Sequence, residues 1–592
     1  MMMSDPRPLT GIVGLGTVGE TFMRLAHQAG HRVVAVDTAP DALVRVGNRL
    51  NALTTDAAES VVLTHEVAEL TDASLVIEAV PDDLAVKTDV LRQIGEVSQA
   101  PVLTTTAALS VPHLAIASGR PETIVGLRFL VPPGPAGAVE LVPTALTSQA
   151  TQSAADALIN GLGLTRVEIG TGPAADATAL VMAYLNQSVA FLDAGHSTRD
   201  DIDTAMRLGC GLPAGPLCLL DIIGLDTVHA TLTRLHQQTG DTSFTPAPLL
   251  THMVESGYLG RKTGEGFYLY DEGGRSGGDE PDDPATTGRP VRTVAVIGSG
   301  VMARGIAEAT ATGGHPTLLM ARSGEKAETA LAAIAESLMR SVRRGKISAQ
   351  QKAAALPLLA PATDMRAVAD HDLIIEAVAE DLDVKRSIFS RLGAVATPGA
   401  ILATTTSSLS VTACAQASGR PADVVGLHFF NPAPVLRLVE LIRTNDTADD
   451  VFAGARAFVA GLGKTTVSCP DRAGFIVNSL LFPYLGSAVN LLQRPGTDIE
   501  ATDTAVRHGF GHPMGPFELL DTIGLDVSLA IQHRLYDQLA QPEHQPAPLL
   551  EALVATGALG RKNQRGFRAG GSVQPMALAR SRDAVCDLHS FR

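Results

Sequence analysis

The sequence predicts an α/β plus all-α protein made of two copies of one unit, each a doubly wound parallel-sheet domain followed by a helical domain. Three observations predict it. The chain repeats itself, so that Thr104 to Lys262 and Thr404 to Lys562 align at a constant offset of 300 residues. Each copy opens with a short apolar strand that runs into a glycine-rich turn and then a helical stretch, the alternation of a parallel sheet. After Pro173, and again after Pro470, strand signals give way to long Ala- and Leu-rich segments. A duplication this long is a tandem of whole folding units, because solenoid repeats have periods of about 20–50 residues.

In the first copy Thr10-Gly11-Ile12-Val13 reads as a strand feeding Gly14-Leu15-Gly16-Thr17-Val18-Gly19. A helix-like run from Glu20 to Ala29 follows, then a strand from Arg32 to Val36 that ends at Asp37. Glycines at this spacing are a weak signal alone and a specific one between strand and helix with an acid after the next strand. Gly14, Gly16 and Gly19 let the backbone approach a pyrophosphate, the helix N-terminus supplies partial positive charge, and Asp37 can accept from ribose hydroxyls. The first copy therefore reads as a Rossmann-type site suited to NAD(H).

The second copy runs Thr293-Val294-Ala295-Val296-Ile297 into Gly298-Ser299-Gly300-Val301-Met302-Ala303. Ala303 replaces the third glycine, a variant the fingerprint tolerates. Ala321 stands where the first copy has Asp37, followed by Arg322-Ser323-Gly324. Losing the carboxylate removes repulsion against a 2′-phosphate, which Arg322 and Ser323 could bind. The expectation is NADP(H) in preference to NAD(H), the alternative being that Arg322 is merely solvated.

These patterns place domains at 8–168, 169–270, 291–468 and 469–570, with a Gly/Asp/Pro-rich linker at 271–290 and a tail at 571–592. About four domains suit 592 residues at ~150 each. A net charge of −16 argues against nucleic acid or an anionic membrane as partner. No apolar run reaches 18 residues and no signal-peptide core follows Met1, so no membrane span is expected. Five scattered cysteines lack metal-site spacing, so no metal is expected and the expected setting is a reducing cytoplasm.

The copies differ where chemistry would lie. The second has Ser407, His428, Asn431 and Asn478 where the first has Ala107, Arg128, Val131 and Thr178. His428 lies in Gly426-Leu427-His428-Phe429-Phe430-Asn431-Pro432, and Glu440 follows twelve residues later on the next apparent strand, Leu436 to Ile442. A carboxylate there can fix the imidazole tautomer and stabilise the imidazolium. Ser407 sits in the loop Thr404 to Ser408, at the end of a strand where doubly wound sheets place ligands.

With these residues the chain resembles the L-3-hydroxyacyl-CoA dehydrogenase family over nearly the whole of both copies. The glycine loop carries the resemblance, with Ile375-Glu376-Ala377-Val378 and Lys385, the TTSSLS segment and HFFNP. So do Gly474-Phe475-Ile476-Val477-Asn478, the run Pro513 to Asp521 and Gly560-Arg561-Lys562. The resemblance implies 3-hydroxyacyl/3-oxoacyl-CoA interconversion, with His428 as general acid/base and Glu440 as its partner. It implies substrate-orienting donors at Ser407 and Asn478, and Ala377, Glu380, Lys385 and Asn431 near the cofactor. It also implies a helical domain like that at the C-terminus of 6-phosphogluconate dehydrogenase, and a helical hairpin that meets CoA. Arg340, Arg343, Arg344 and Lys346 fall in that hairpin, while the matching stretch of the first copy, Asp37 to Ile77, is about fourteen residues shorter and lacks them.

Arg128 cannot shuttle protons near neutral pH, because guanidinium stays protonated. The first copy therefore reads as non-catalytic, either a structural half of an internal pseudo-dimer or a module that still binds NAD(H). Rival substrates are an acyl-carrier-protein thioester, which shares the phosphopantetheine arm, and a small hydroxy acid, which the basic hairpin disfavours. Chain length of the acyl group and further self-association are left open by the sequence.

Overall fold

The computed structural model describes residues 7–53, 60–106, 109–129, 137–167, 177–271, 274–276, 288–494 and 497–568. The tail at 571–592 and most of the linker lie outside them. Two eight-stranded sheets carry the two copies. The first comprises β1 (Leu9–Val13), β2 (Arg32–Val36), β3 (Val61–Thr64), β4 (Leu75–Glu78), β5 (Val102–Thr105), β6 (Ile124–Phe129), β7 (Ala138–Val142) and β8 (Thr165–Val167). A small hairpin, β9 (Leu269–Asp271) with β10 (Gly274–Ser276), follows the first helical domain. The second sheet comprises β11 (Val294–Ile297), β12 (Thr317–Met320), β13 (Leu359–Ala362), β14 (Leu373–Glu376), β15 (Ile401–Thr404), β16 (Val424–Phe429), β17 (Leu438–Arg443) and β18 (Thr465–Pro470).

Strand order in both sheets begins 3-2-1-4-5-6, all parallel, so the doubly wound expectation holds. The central strands β4, β11, β14 and β15 are buried along their whole length and apolar up to the terminal Glu78, Glu376 and Thr404, because helices cover both faces. One pair in each sheet departs from the parallel rule: β6 with β7 and β16 with β17 are antiparallel. Only eight residues separate β16 from β17, too few for the crossover that parallel neighbours need.

The linker is not wholly a tether. At its far end the Arg289 guanidinium meets Asp423 at 2.6 Å and Asp450 at 2.7 Å, which pins 288–290 to the second sheet domain. The helical domains pack on each other through helices Ala177–Asp193 and Val477–Leu491, where the Tyr184 and Tyr484 rings meet edge-on at 5.6 Å. No single helix among the described residues is long and apolar enough to cross a membrane, and the apolar residues of the bent pair Pro216–Ile223 and Leu225–Thr239 are spent on the helical core.

Candidate active site

Each glycine turn sits where strand order reverses, between β1 and β4 and between β11 and β14. Gly14 and Gly298 take φ of +94° and +140°, and a Cβ there would stand 2.7 Å from the Ala79 carbonyl oxygen or 2.4 Å from that of Ala377. Gly16 and Gly300 precede their helices without any side-chain cap, and a Cβ on either would touch nothing within 4 Å. Open space over uncapped helix N–H groups fits a dinucleotide pyrophosphate, so both copies have the cradle such a cofactor needs. The third position differs: a Cβ on Gly19 would lie 1.7 Å from the Gly14 oxygen, whereas the second turn accommodates the buried methyl of Ala303.

Past β2, Asp37 accepts the Leu15 N–H at 2.6 Å and the Ala39 N–H at 2.8 Å, tying the acid to the glycine turn. Past β12, Ala321 is buried and Arg322 exposed. Ser323 caps helix Gly324–Arg343 by accepting the Lys326 N–H at 3.3 Å, a structural duty the sequence reading did not assign.

His428 and Glu440 lie directly opposite each other on β16 and β17. Nδ1 of His428 is 2.6 Å from Glu440 Oε2. A carboxylate can only accept, so Nδ1 holds the hydrogen and Nε2 is left to exchange a proton with a ligand. Glu440 is fully buried, and its Oε1 accepts the Ile476 N–H at 3.0 Å and the Val477 N–H at 2.9 Å. Those amides turn inward because Phe475 adopts φ +49°, a left-handed conformation uncommon for a bulky residue. Its ring centroid is 5.6 Å from that of His428, and the Phe430 ring lies at 4.6 Å on another side. Such walls keep the His428 side chain only 9 % exposed. Sequence reading gave neither phenylalanine a role.

A second network runs from the end of β14 to the loop after β15, beside this pair. Lys385, fully buried, donates to Glu376 at 2.8 and 2.9 Å and stands 3.5 Å from Glu380. Thr404 donates to Glu376 at 2.7 Å. Glu380 Oε1 accepts from the Thr406 hydroxyl at 2.7 Å and from the Ser407 backbone and hydroxyl at 2.8 and 3.1 Å. Burial pushes Glu380 upward, but the Lys385 charge and these donors outweigh it and hold the carboxyl below its usual range. Asn478 donates to the Ser407 carbonyl at 3.3 Å. Contacts thus link Lys385, Glu380, Ser407 and Asn478, and Asn478 directly follows Val477, whose N–H holds Glu440 against His428, while Asn431 stands exposed just beyond β16. Arg534, from helix Leu525–Leu539, donates to Ser408 at 2.7 Å, a contact no local motif announces.

The expected hairpin forms from helices Gly324–Arg343 and Ala349–Ala355, the latter opened by a Ser348/Gln351 capping box. Arg343, Arg344 and Lys346 are exposed around its turn. Arg340 is committed to Glu336 at 2.9 Å.

In the first copy Arg128 and Glu140 occupy the positions of the histidine and its acid, 3.9 Å apart. The buried Lys87, Glu78 and Thr104 group survives, with contacts of 2.8 and 2.6 Å to Glu78. Thr178 lies in the first turn of helix Ala177–Asp193. Ala107 and Val131 fall outside the described residues.

Comparison with known proteins matches this architecture twice. The family model described as 3-hydroxyacyl-CoA dehydrogenase, NAD binding domain, covers residues 10–172 and 293–472. The model for the C-terminal domain covers 177–270 and 474–570. The chain is 42% identical over 283 residues to a 3-hydroxybutyryl-CoA dehydrogenase of Mycobacterium tuberculosis, covering 47% of this chain and 98% of that protein. It is also 42% identical, over 285 residues, to the mitochondrial hydroxyacyl-coenzyme A dehydrogenase of Homo sapiens, covering 47% of this chain and 90% of the relative. A crystal structure of 3-hydroxybutyryl-CoA dehydrogenase from Escherichia coli K12 shares the fold over 93% of this chain and 100% of its own, with a TM-score of 0.58 at 20% identity.

Proposed function

Because the chain belongs to the 3-hydroxyacyl-CoA dehydrogenase family, carrying both of its domain types twice, we propose that it interconverts 3-hydroxyacyl and 3-oxoacyl thioesters of CoA at one site, in the second copy. The observation that carries this reading is the buried 2.6 Å contact between His428 and Glu440, set against Arg128 and Glu140 in the first copy. Gly298, Gly300 and Ala303 would hold the pyrophosphate of a nicotinamide dinucleotide, which would supply or accept the hydride. His428 Nε2 takes the substrate hydroxyl proton in oxidation and returns it in reduction, while Glu440 stabilises the imidazolium through Nδ1. A general acid/base of this kind contributes on the order of 10²–10⁴ in rate. Ser407 and Asn478 donate to the reacting oxygen, and Ser407 must leave Glu380 to do so. Glu380 and Lys385 then remain as a paired, charged wall beside the cofactor.

Exposed Arg322 at the end of β12, with buried Ala321 in place of an acid, supports NADP(H) over NAD(H), and hence the reductive direction wherever that pool is kept reduced. Arg343, Arg344 and Lys346 offer a polyanionic CoA nucleotide three exposed cations on an otherwise acidic protein. The first copy, whose turn keeps Asp37 and open space at Gly16, retains what NAD(H) binding requires. Scattered cysteines, four of them free among the described residues, suit a cytoplasmic setting. The test is consumption of NADPH and of NADH with 3-oxoacyl-CoAs of several chain lengths and with acetoacetyl-carrier protein. NADPH-dependent turnover of a short 3-oxoacyl-CoA supports the reading, and no turnover of any thioester with either cofactor overturns it.

A further inference from the structure

We propose that helix Arg199–Cys210 of the first copy is a positioning element for the His428–Glu440 pair of the second, with Gly209 as its point of contact. This rests on the reading of His428 as the acid/base. The helix packs on β17 and β18 of the other copy. β17 carries Glu440, and β18 lies alongside it with Val467 in register with Glu440. The exchange is reciprocal, because helix Ile499–Gly509 lies against β7 and β8 of the first copy.

Glycine inside a helix costs about 0.5–1 kcal/mol relative to alanine, so a reason for Gly209 has to come from packing. A Cβ there would stand 2.9 Å from Leu438 Cδ2 and 3.0 Å from Val477 Cγ2. Both residues belong to the segments that carry or hold the buried carboxylate. Leu438 precedes Glu440 by two residues on β17 and so shares its face of the sheet. Val477 is the residue whose N–H holds Glu440 Oε1 at 2.9 Å. One helix backbone therefore bears on the strand and on the turn that together aim Glu440 at His428.

Neighbouring contacts support the placement. Burial first, and the Glu440 charge second, push the adjacent Cys210 thiol up to about 12. Ser197 just ahead of the helix donates to the Ser468 carbonyl on β18 at 2.9 Å. Beyond the helix, a Cβ on Gly211 would lie 3.3 Å from Pro513, and one on Gly511 would lie 3.3 Å from Pro213, the mirror contact. On this reading the first copy is kept for the wall it gives the working site, whatever its own nucleotide turn still binds.

The test uses the full chain, with kcat for acetoacetyl-CoA reduction measured against pH. Gly209→Val should lower kcat about tenfold or more, since misplacing a catalytic group by a fraction of an ångström is enough. It should also move the imidazole-dependent limb to lower pH, because a displaced carboxylate stabilises the imidazolium less. KM for NADPH should stay within about twofold, as only ground-state cofactor contacts set that binding term. Adding Leu438→Ala should restore most of kcat by giving the new side chain room. Tyr184→Leu, a lesion elsewhere in the same interface, should lower Tm and leave the limb in place. If Gly209→Val does not fold, Gly209→Ala is read the same way. An unmoved limb in a folded Gly209 variant overturns the proposal, as does a limb shifted equally by Tyr184→Leu. His428→Ala, run alongside, separates the two failures: if it retains turnover, the underlying acid/base reading has failed instead.

Discussion

His428 and Arg128 hold equivalent positions on antiparallel strand pairs, each facing a glutamate, yet only the imidazole can change charge near neutral pH. Replacing Glu440 with Gln keeps the shape and removes the charge that steadies the imidazolium, so kcat should fall about 100-fold or more with little change in KM for the cofactor. Steady-state kinetics at fixed pH would show this. Arg322→Ala should cut the NADPH-over-NADH ratio of kcat/KM at least tenfold, about 1.4 kcal/mol of 2′-phosphate recognition. An unchanged ratio would reduce Arg322 to a solvated surface residue. Lys385→Ala strands Glu376 as a buried lone carboxylate and should cost about 3–5 kcal/mol in chemical denaturation. The imidazole and its acid were legible in the sequence because a twelve-residue interval with apolar flanks reads as two adjacent strands. Phe475 and Arg534 were not. Phe475 lies in a motif segment but acts through a backbone angle, and Arg534 reaches Ser408 across 126 positions.

At the level of elements, the two glycine turns set different steric limits. Gly19→Ala would drive a methyl into the Gly14 carbonyl, so the first sheet domain should lose stability, seen as an earlier or separate melting transition. Ala303→Gly should leave the second turn formed and NADPH binding nearly intact. Equal tolerance of both changes would mean that the turns do not differ as described. Strand and helix positions were readable because apolar period and glycine punctuation are local signals. The antiparallel turn of β17 was not anticipated, although its short connection to β16 contained the reason. Nor was the docking of Arg289, since its Asp423 and Asp450 partners are distant in sequence.

Across the whole molecule the two halves meet through their helical domains and exchange one helix each onto the other's sheet. His512 lies at that seam in a cavity with Tyr184, Tyr484 and Cys210, and burial lowers its imidazole to about 4. A histidine depressed in the folded state favours unfolding as pH falls from about 6.5 toward 4, where only the unfolded chain takes up the proton. His512→Gln should therefore flatten the fall of Tm across that window relative to the parent, and parallel Tm curves would count against a buried neutral ring. Duplication was plain from the constant offset, but the helix exchange was not. Contacts between residues more than 200 positions apart are fixed only when the chain folds. The most direct test of a single working site is NADPH-dependent reduction of acetoacetyl-CoA by two full-length variants, His428→Ala and Arg128→Ala. The account predicts that the first loses turnover while remaining folded and the second keeps it near the parent level. Turnover surviving in His428→Ala and lost in Arg128→Ala would contradict it.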